Sequence, residues 1–113
     1  MHEMSLVESV RELIEDAAVR EGFSRVSGVR VEIGQLSGVE REAFEFCFDI
    51  AMKDGIVAGA RLEVVATPGR GACSECGRET ALAVVYDPCE HCDAVPVVVI
   101  GGTEMRVIDL EVE

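Results

Sequence analysis

The chain has 113 residues and a formal net charge of −12, which is the length of one domain, or of one domain with a small appended module. That charge has the wrong sign for a nucleic-acid or anionic-lipid surface, so neither partner is expected. Aromatic residues make up only 4% of the chain, so the core is thin and a bound metal is the usual supplement where a sub-region cannot bury enough of its own surface.

After the first few residues, Ser5-Leu6-Val7-Glu8 has the form of a capping box, and a helix is expected over 5–21. Leu6, Val10, Leu13 and Ala17 lie along one face, flanked by Val7, Ile14 and Ala18, and Gly22 stops it. Val29, Val31 and Ile33 alternate with charged residues, giving a half-buried strand over 26–34. Ser37-Gly38-Val39-Glu40 is a second capping-box candidate, opening a helix that runs to Asp54 with Phe44, Cys47, Phe48 and Ala51 as its apolar stripe. Cys47, beside two phenylalanines, reads as a small core residue.

A second strand is expected over 61–67, and Thr67-Pro68-Gly69-Arg70-Gly71 then reads as a break. Leu82–Tyr86 and Val95–Ile100 read as short apolar strands, Gly101-Gly102 as an exit turn, and 104–112 as a last strand whose alternation changes phase near Val107-Ile108. The fold class is α+β: two helices on a small, mostly antiparallel sheet, with an inserted zinc-ribbon-like module. The expected domains are 1–69 plus 103–113, and the module 70–102, joined by glycine-rich connectors that read as hinge points.

Two C-x-x-C pairs, Cys73/Cys76 and Cys89/Cys92, are separated by twelve residues. Each pair can turn two thiolates inward, and two such turns surround one tetrahedral ion, the arrangement zinc takes at about 2.3 Å per sulfur. Iron in a rubredoxin-type site uses the same turns and stays open at this point. Four protein thiolates close the coordination shell, so this site argues for stability rather than catalysis. The two histidines are far apart in sequence, and no H-E-x-x-H helix or Ser/His/Asp set is present, so the chain is not expected to be an enzyme.

The chain begins Met1-His2-Glu3. The Met1 amine, the His2 amide nitrogen and the His2 imidazole can close two fused chelate rings of the kind that suit square-planar Ni(II) or Cu(II). There is no basic stretch before the first apolar residues, and Glu3 and Glu8 interrupt them, so no secretory signal is expected. No apolar run is long enough to span a membrane. Free thiols in a metal site fit the reducing cytoplasm.

Met1-His2-Glu3-Met4-Ser5-Leu6, Gly34-Gln35-Leu36-Ser37-Gly38-Val39 and the two C-x-x-C pairs together resemble the hydrogenase maturation nickel-chaperone family (HypA/HybF) over the full length. The resemblance implies a nickel metallochaperone. It would bind Ni(II) through His2 with Met1 and Glu3, and hold structural Zn(II) at Cys73, Cys76, Cys89 and Cys92. Its implied partners are a GTP-hydrolysing nickel maturation protein and the hydrogenase large-subunit precursor, with urease as a further acceptor. Glu40 stands where some members have an aspartate, and His91 is the one histidine near the cysteines. The alternative is a zinc-ribbon adaptor that acts only through protein contacts.

Overall fold

A computed structural model describes residues 2–113, and these divide into two compact units. The first comprises the chain through Val31, with Val39–Val64 and Val107–Glu113. The second comprises Glu32–Gly38 and Val65–Arg106.

In the first unit, helix α1 spans Glu3–Glu21 and helix α2 spans Arg41–Ala51, followed by a 3-10 turn at Gly55–Val57. The buried face of α1 is Val7, Val10, Ile14 and Ala17, at the three- and four-residue spacing of a helix. Leu13, expected on that face, is 52% exposed, so the stripe centres on Val7 and Ile14 instead. The helix also starts earlier than the capping box suggests. His2 is the N-cap, its carbonyl accepts from Leu6 N–H at 3.2 Å, and Ser5 lies inside the first turns. Gly22 closes it as expected, with its N–H on the Ala18 carbonyl at 2.8 Å.

The second capping box is also displaced. Glu40 itself is the N-cap of α2, and its carboxylate accepts from Ala43 N–H at 2.6 Å. Satisfying one of the orphan donors of the first turn is what an N-cap does. The helix ends at Ala51 and carries no basic residue in its last turn. Arg11 of α1, only 24% exposed, supplies that charge: Nη1 donates to the Ala51 carbonyl at 2.6 Å, and Nη2 sits 2.7 Å from Asp54. A cation at a helix C-terminus complements the helix dipole. Phe44 and Phe48 are fully buried on the inner face of α2, and Cys47 beside them is half-buried.

Strands β1 (Val26–Gly34), β2 (Arg61–Thr67) and β6 (Met105–Val112) form one sheet in the order β2-β1-β6. At one end of β1, Ser24 N–H donates to the Glu113 carbonyl, and at the other Gly34 N–H donates to Glu104. Those two bonds make β1 and β6 antiparallel. Gln35 N–H donates to Thr67, so the carboxyl ends of β1 and β2 lie side by side, the parallel arrangement a helical crossover through α2 makes. The phase change expected in β6 is present: Met105, Val107 and Leu110 are half-buried, while Ile108 and Val112 are exposed.

In the second unit, β3 (Gly69–Ala72), β4 (Glu79–Leu82) and β5 (Val98–Gly101) form an antiparallel sheet in the order β4-β3-β5. The central strand, β3, is the stretch whose Pro and Gly content reads as a break. A Cβ on Gly69 would lie 2.2 Å from the Leu82 carbonyl oxygen, so glycine here serves close approach of two backbones rather than flexibility. Beside it, Gly102 has φ +82°, and a Cβ there would lie 2.5 Å from the Pro68 oxygen. The Gly34–Leu36 loop is laced into this crowded joint. Gln35 Oε1 accepts from Gly69 N–H at 3.0 Å, and Leu36 N–H donates to Gly102 at 2.7 Å. Within the second unit, these glycine-rich stretches therefore form a packed joint.

The expected strand Leu82–Tyr86 is shifted: β4 ends at Leu82, and Ala83–Asp87 turns back. Asp87 stops the strand, because its carboxylate accepts from Ala83 and Val84 N–H at 2.8 and 3.2 Å. The strand expected over Val95–Ile100 is shortened to β5.

Candidate metal centres

The small core of the second unit is built around sulfur: Cys73, Leu82, Cys89 and Val97 are buried together, with Leu36, Ala94 and Val99 packed against them. Both cysteine turns are closed by the same backbone bonds. In the first, Gly77 N–H donates to the Cys73 carbonyl at 3.0 Å and Cys73 N–H to Arg78 at 3.0 Å. In the second, Asp93 N–H donates to the Cys89 carbonyl at 2.9 Å and Cys89 N–H to Ala94 at 3.0 Å. The residue four positions after each leading cysteine has positive φ, +71° at Gly77 and +62° at Asp93. Glycine takes that conformation freely, and aspartate is among the few other residues that tolerate it. Asp93 was not singled out in the sequence; the matched offset from the leading cysteine is the signal that finds it.

These turns bring all four thiols together. Every pair of ligand sulfurs lies within 4.8 Å, and the Cys73–Cys92 and Cys76–Cys89 contacts are 3.6 and 3.8 Å. A tetrahedral ion with sulfurs at about 2.3 Å has S···S edges of about 3.8 Å, so the cluster has the size zinc requires. Cys73 and Cys89 are buried and Cys76 and Cys92 exposed, so one thiol of each pair faces the core and one the solvent.

The proton chemistry of the cluster is uneven. Burial resists ionisation of Cys89, but the N–H groups of His91 and Cys92 and the neighbouring thiols bring it down to about 6. At Cys92 the Ala94 N–H favours the thiolate, but the Cys73 thiol, burial and the other two sulfurs push it up to about 12. The Cys89 proton therefore leaves readily, and the neighbouring sulfurs hold that of Cys92 back. A cation relieves that repulsion and completes deprotonation. His91 Nε2 lies 3.1 Å from the Glu79 carbonyl oxygen. The neighbouring Glu90 carboxyl is held below its ordinary range by Ala81 N–H, with burial opposing and Thr80 assisting.

At the other end of the chain, Met1 lies outside the described residues. His2 is exposed and makes no side-chain cap bond. Glu3 bridges the two helices: Oε2 accepts from Glu40 N–H at 3.1 Å, joining the first turn of α1 to the start of α2. That bond is the largest cause holding the Glu3 carboxyl below its ordinary range, with burial opposing and the Glu3 N–H assisting. Glu40 thus contributes its amide to Glu3 and its carboxylate to Ala43. Among the described residues, the four cysteines are the one cluster of three or more His, Cys, Asp or Glu ligand atoms.

No helix of the described residues is long and apolar enough to cross a membrane. Residues 1–112 match the family model described as hydrogenase/urease nickel incorporation, metallochaperone, HypA. A hydrogenase maturation factor HypA of Albidiferax ferrireducens is 51% identical over 113 residues, covering all of both chains. One from Dechloromonas aromatica is 48% identical, again over the whole of both chains. The solution structure of the Ni metallochaperone HypA from Helicobacter pylori has a TM-score of 0.68 at 29% identity, covering 99% of this chain and 97% of that one.

Proposed function

Because the chain belongs to the HypA family of hydrogenase/urease nickel-incorporation metallochaperones, we propose that it carries Ni(II) at Met1-His2-Glu3 and holds structural Zn(II) at Cys73, Cys76, Cys89 and Cys92. Residues 1–69 plus 103–113 serve as the nickel-carrying domain and 70–102 as the zinc module. The protein acts in the cytoplasm as a carrier rather than an enzyme. It hands nickel on with a GTP-hydrolysing maturation protein to the hydrogenase large-subunit precursor. The family's work is nickel incorporation, so an adaptor acting only through protein contacts is set aside.

The observation that carries the nickel reading is the order imposed beside His2. One oxygen of Glu3 is committed to the Glu40 amide, while the His2 side chain is exposed and uncommitted as a cap. Glu3 on this reading positions the N-terminal turn and orients or ligates the ion. The donor set proposed is the Met1 amine, the His2 amide nitrogen and the imidazole, which favours a square-planar ion of the Ni(II) class. For zinc, the chemistry of four thiolates at tetrahedral spacing supports the assignment, and the filled shell leaves no position for substrate.

The test is nickel titration into untagged, zinc-loaded protein. Wild type is expected to take one Ni(II) per chain. His2→Ala, and wild type extended by residues before Met1, are expected to take none while keeping their zinc and their circular dichroism. Unchanged nickel affinity in His2→Ala defeats the assignment.

A further inference from the structure

Thr80 is the buried polar side chain among the described residues, 1% exposed. A buried hydroxyl destabilises a fold unless it is partnered, and this one is committed to the second cysteine turn. Thr80 Oγ1 accepts from Glu90 N–H at 3.0 Å and donates to Glu90 Oε2 at 3.3 Å. The same carboxylate oxygen accepts from Ala81 N–H at 2.8 Å. Glu90 lies between Cys89 and Cys92, and Thr80 and Ala81 lie on β4. The result is a closed clasp of hydroxyl, two amides and one carboxylate, on the strand that pairs with β3.

The two cysteine turns are placed by different means. Cys73 and Cys76 sit in the loop of the β3–β4 hairpin, so that hairpin sets their position directly. Cys89 and Cys92 follow β4 only after the exposed turn at 83–87. Their turn needs its own attachment to meet the first pair at the observed 3.6 and 3.8 Å.

We propose that Thr80 and Glu90 are positioning residues of the cysteine site, clasping the Cys89–Cys92 turn onto β4 and so setting how slowly a bound soft divalent cation exchanges. The inference rests on the four-cysteine ligation proposed above. Neither residue touches the ion. They act by holding the turn's backbone, so that a thiolate that lets go stays within reach and rebinds before the ion escapes.

The experiment uses zinc-loaded, full-length protein and follows zinc release to a chromogenic chelator in excess. Wild type is compared with Thr80→Val, Thr80→Ser, Glu90→Ala and Glu90→Gln, each checked by circular dichroism, with Co(II)-substituted spectra recorded in parallel. Thr80→Val and Glu90→Ala are expected to release zinc on the order of tenfold faster, the size of effect typical of groups that orient metal ligands. Thr80→Ser, which keeps the hydroxyl, is expected near the wild-type rate, and the Co(II) bands are expected to keep the intensity of four thiolates throughout. A wild-type rate in Thr80→Val, or equal rates in the Ser and Val variants, overturns the proposal, the latter because it would mark a packing effect. If Thr80→Val does not fold, the Glu90 variants decide: a graded increase from Gln to Ala supports the clasp, and wild-type rates in both overturn it. Wild-type protein that takes up no zinc refutes the ligation itself; zinc retained at equal rates in every variant refutes only the clasp.

Discussion

Replacing Gly102 by alanine tests whether the glycine joint of the second unit is packed as described. Two costs arise. The first is the left-handed backbone, φ +82°, which penalises a side chain by about 1–2 kcal/mol, less the fraction returned by alanine's stiffer unfolded chain. The second is steric: the new Cβ would meet the Pro68 oxygen at 2.5 Å and the Gly69 Cα at 2.7 Å, where ordinary contacts begin near 3.4 Å. Backbone cannot rotate away as a flexible side chain does, so the joint must open, at an overpacking cost of about 1–3 kcal/mol. Gly22 isolates the first cost: its φ is +79°, and a Cβ there meets nothing within 4 Å. Gly22→Ala is expected to cost about 1 kcal/mol and Gly102→Ala about 2–4 kcal/mol. Urea unfolding followed by circular dichroism at a fixed zinc excess measures both. Amide exchange at Leu36, whose N–H is held by the Gly102 carbonyl, is expected to accelerate only in the second variant. Equal destabilisation by the two substitutions, with Leu36 protected in both, refutes the packed joint.

Two further outcomes follow from groups already described. Cys89, with its folded-state value depressed to about 6, is already a thiolate at pH 7.5, whereas the raised Cys92 is not. Zinc uptake is therefore expected to release about one proton more at pH 5 than at pH 7.5, so affinity falls more steeply with falling pH once pH is below about 6. Calorimetry in buffers of differing ionisation enthalpy counts the protons, and the same number at both pH values contradicts the depressed Cys89. Separately, Arg11→Ala removes the cation at the end of α2 and leaves the Ala51 carbonyl without its charged donor, a loss expected at about 1.5–3 kcal/mol of stability in thermal or urea unfolding. Arg11→Lys is expected to recover only part of it, since one ammonium replaces a fork that spans Ala51, Asp54 and Glu15.

Periodic features were legible where each residue's environment follows from its immediate neighbours. The alternation of Val29, Val31 and Ile33 lies within a strand expected over 26–34, and that strand and the one expected over 61–67 match β1 and β2 residue for residue. Composition rules failed where a distant backbone decides. Gly69-Arg70-Gly71-Ala72 has the content of a turn, yet β4 and β5 flank it and need the missing side chains to come close. Val84, Val85 and Tyr86 have the content of a strand, yet Asp87 captures the preceding amides and leaves them exposed. The four cysteines were legible as a site because metal geometry restricts their spacing. The Glu3–Glu40 bond was not, because nothing local to Met1-His2-Glu3 says which amide lies within reach.

A carrier must bind its cargo and give it up, and the two proposed sites would treat an ion differently. Around the cysteines, backbone bonds close both turns, one thiol of each pair is buried, and a filled shell offers an incoming ligand no foothold. Exchange there requires a thiolate to leave first. At the N-terminus the proposed ligands are an exposed imidazole and groups at the chain's end, and the order beside them comes from the Glu3–Glu40 bond. A competing ligand can approach such a site directly and displace one donor at a time. On this assignment the sulfur site fixes shape because it cannot easily open, and the N-terminal site can pass nickel on because its rigidity is borrowed from the helix rather than from a closed shell.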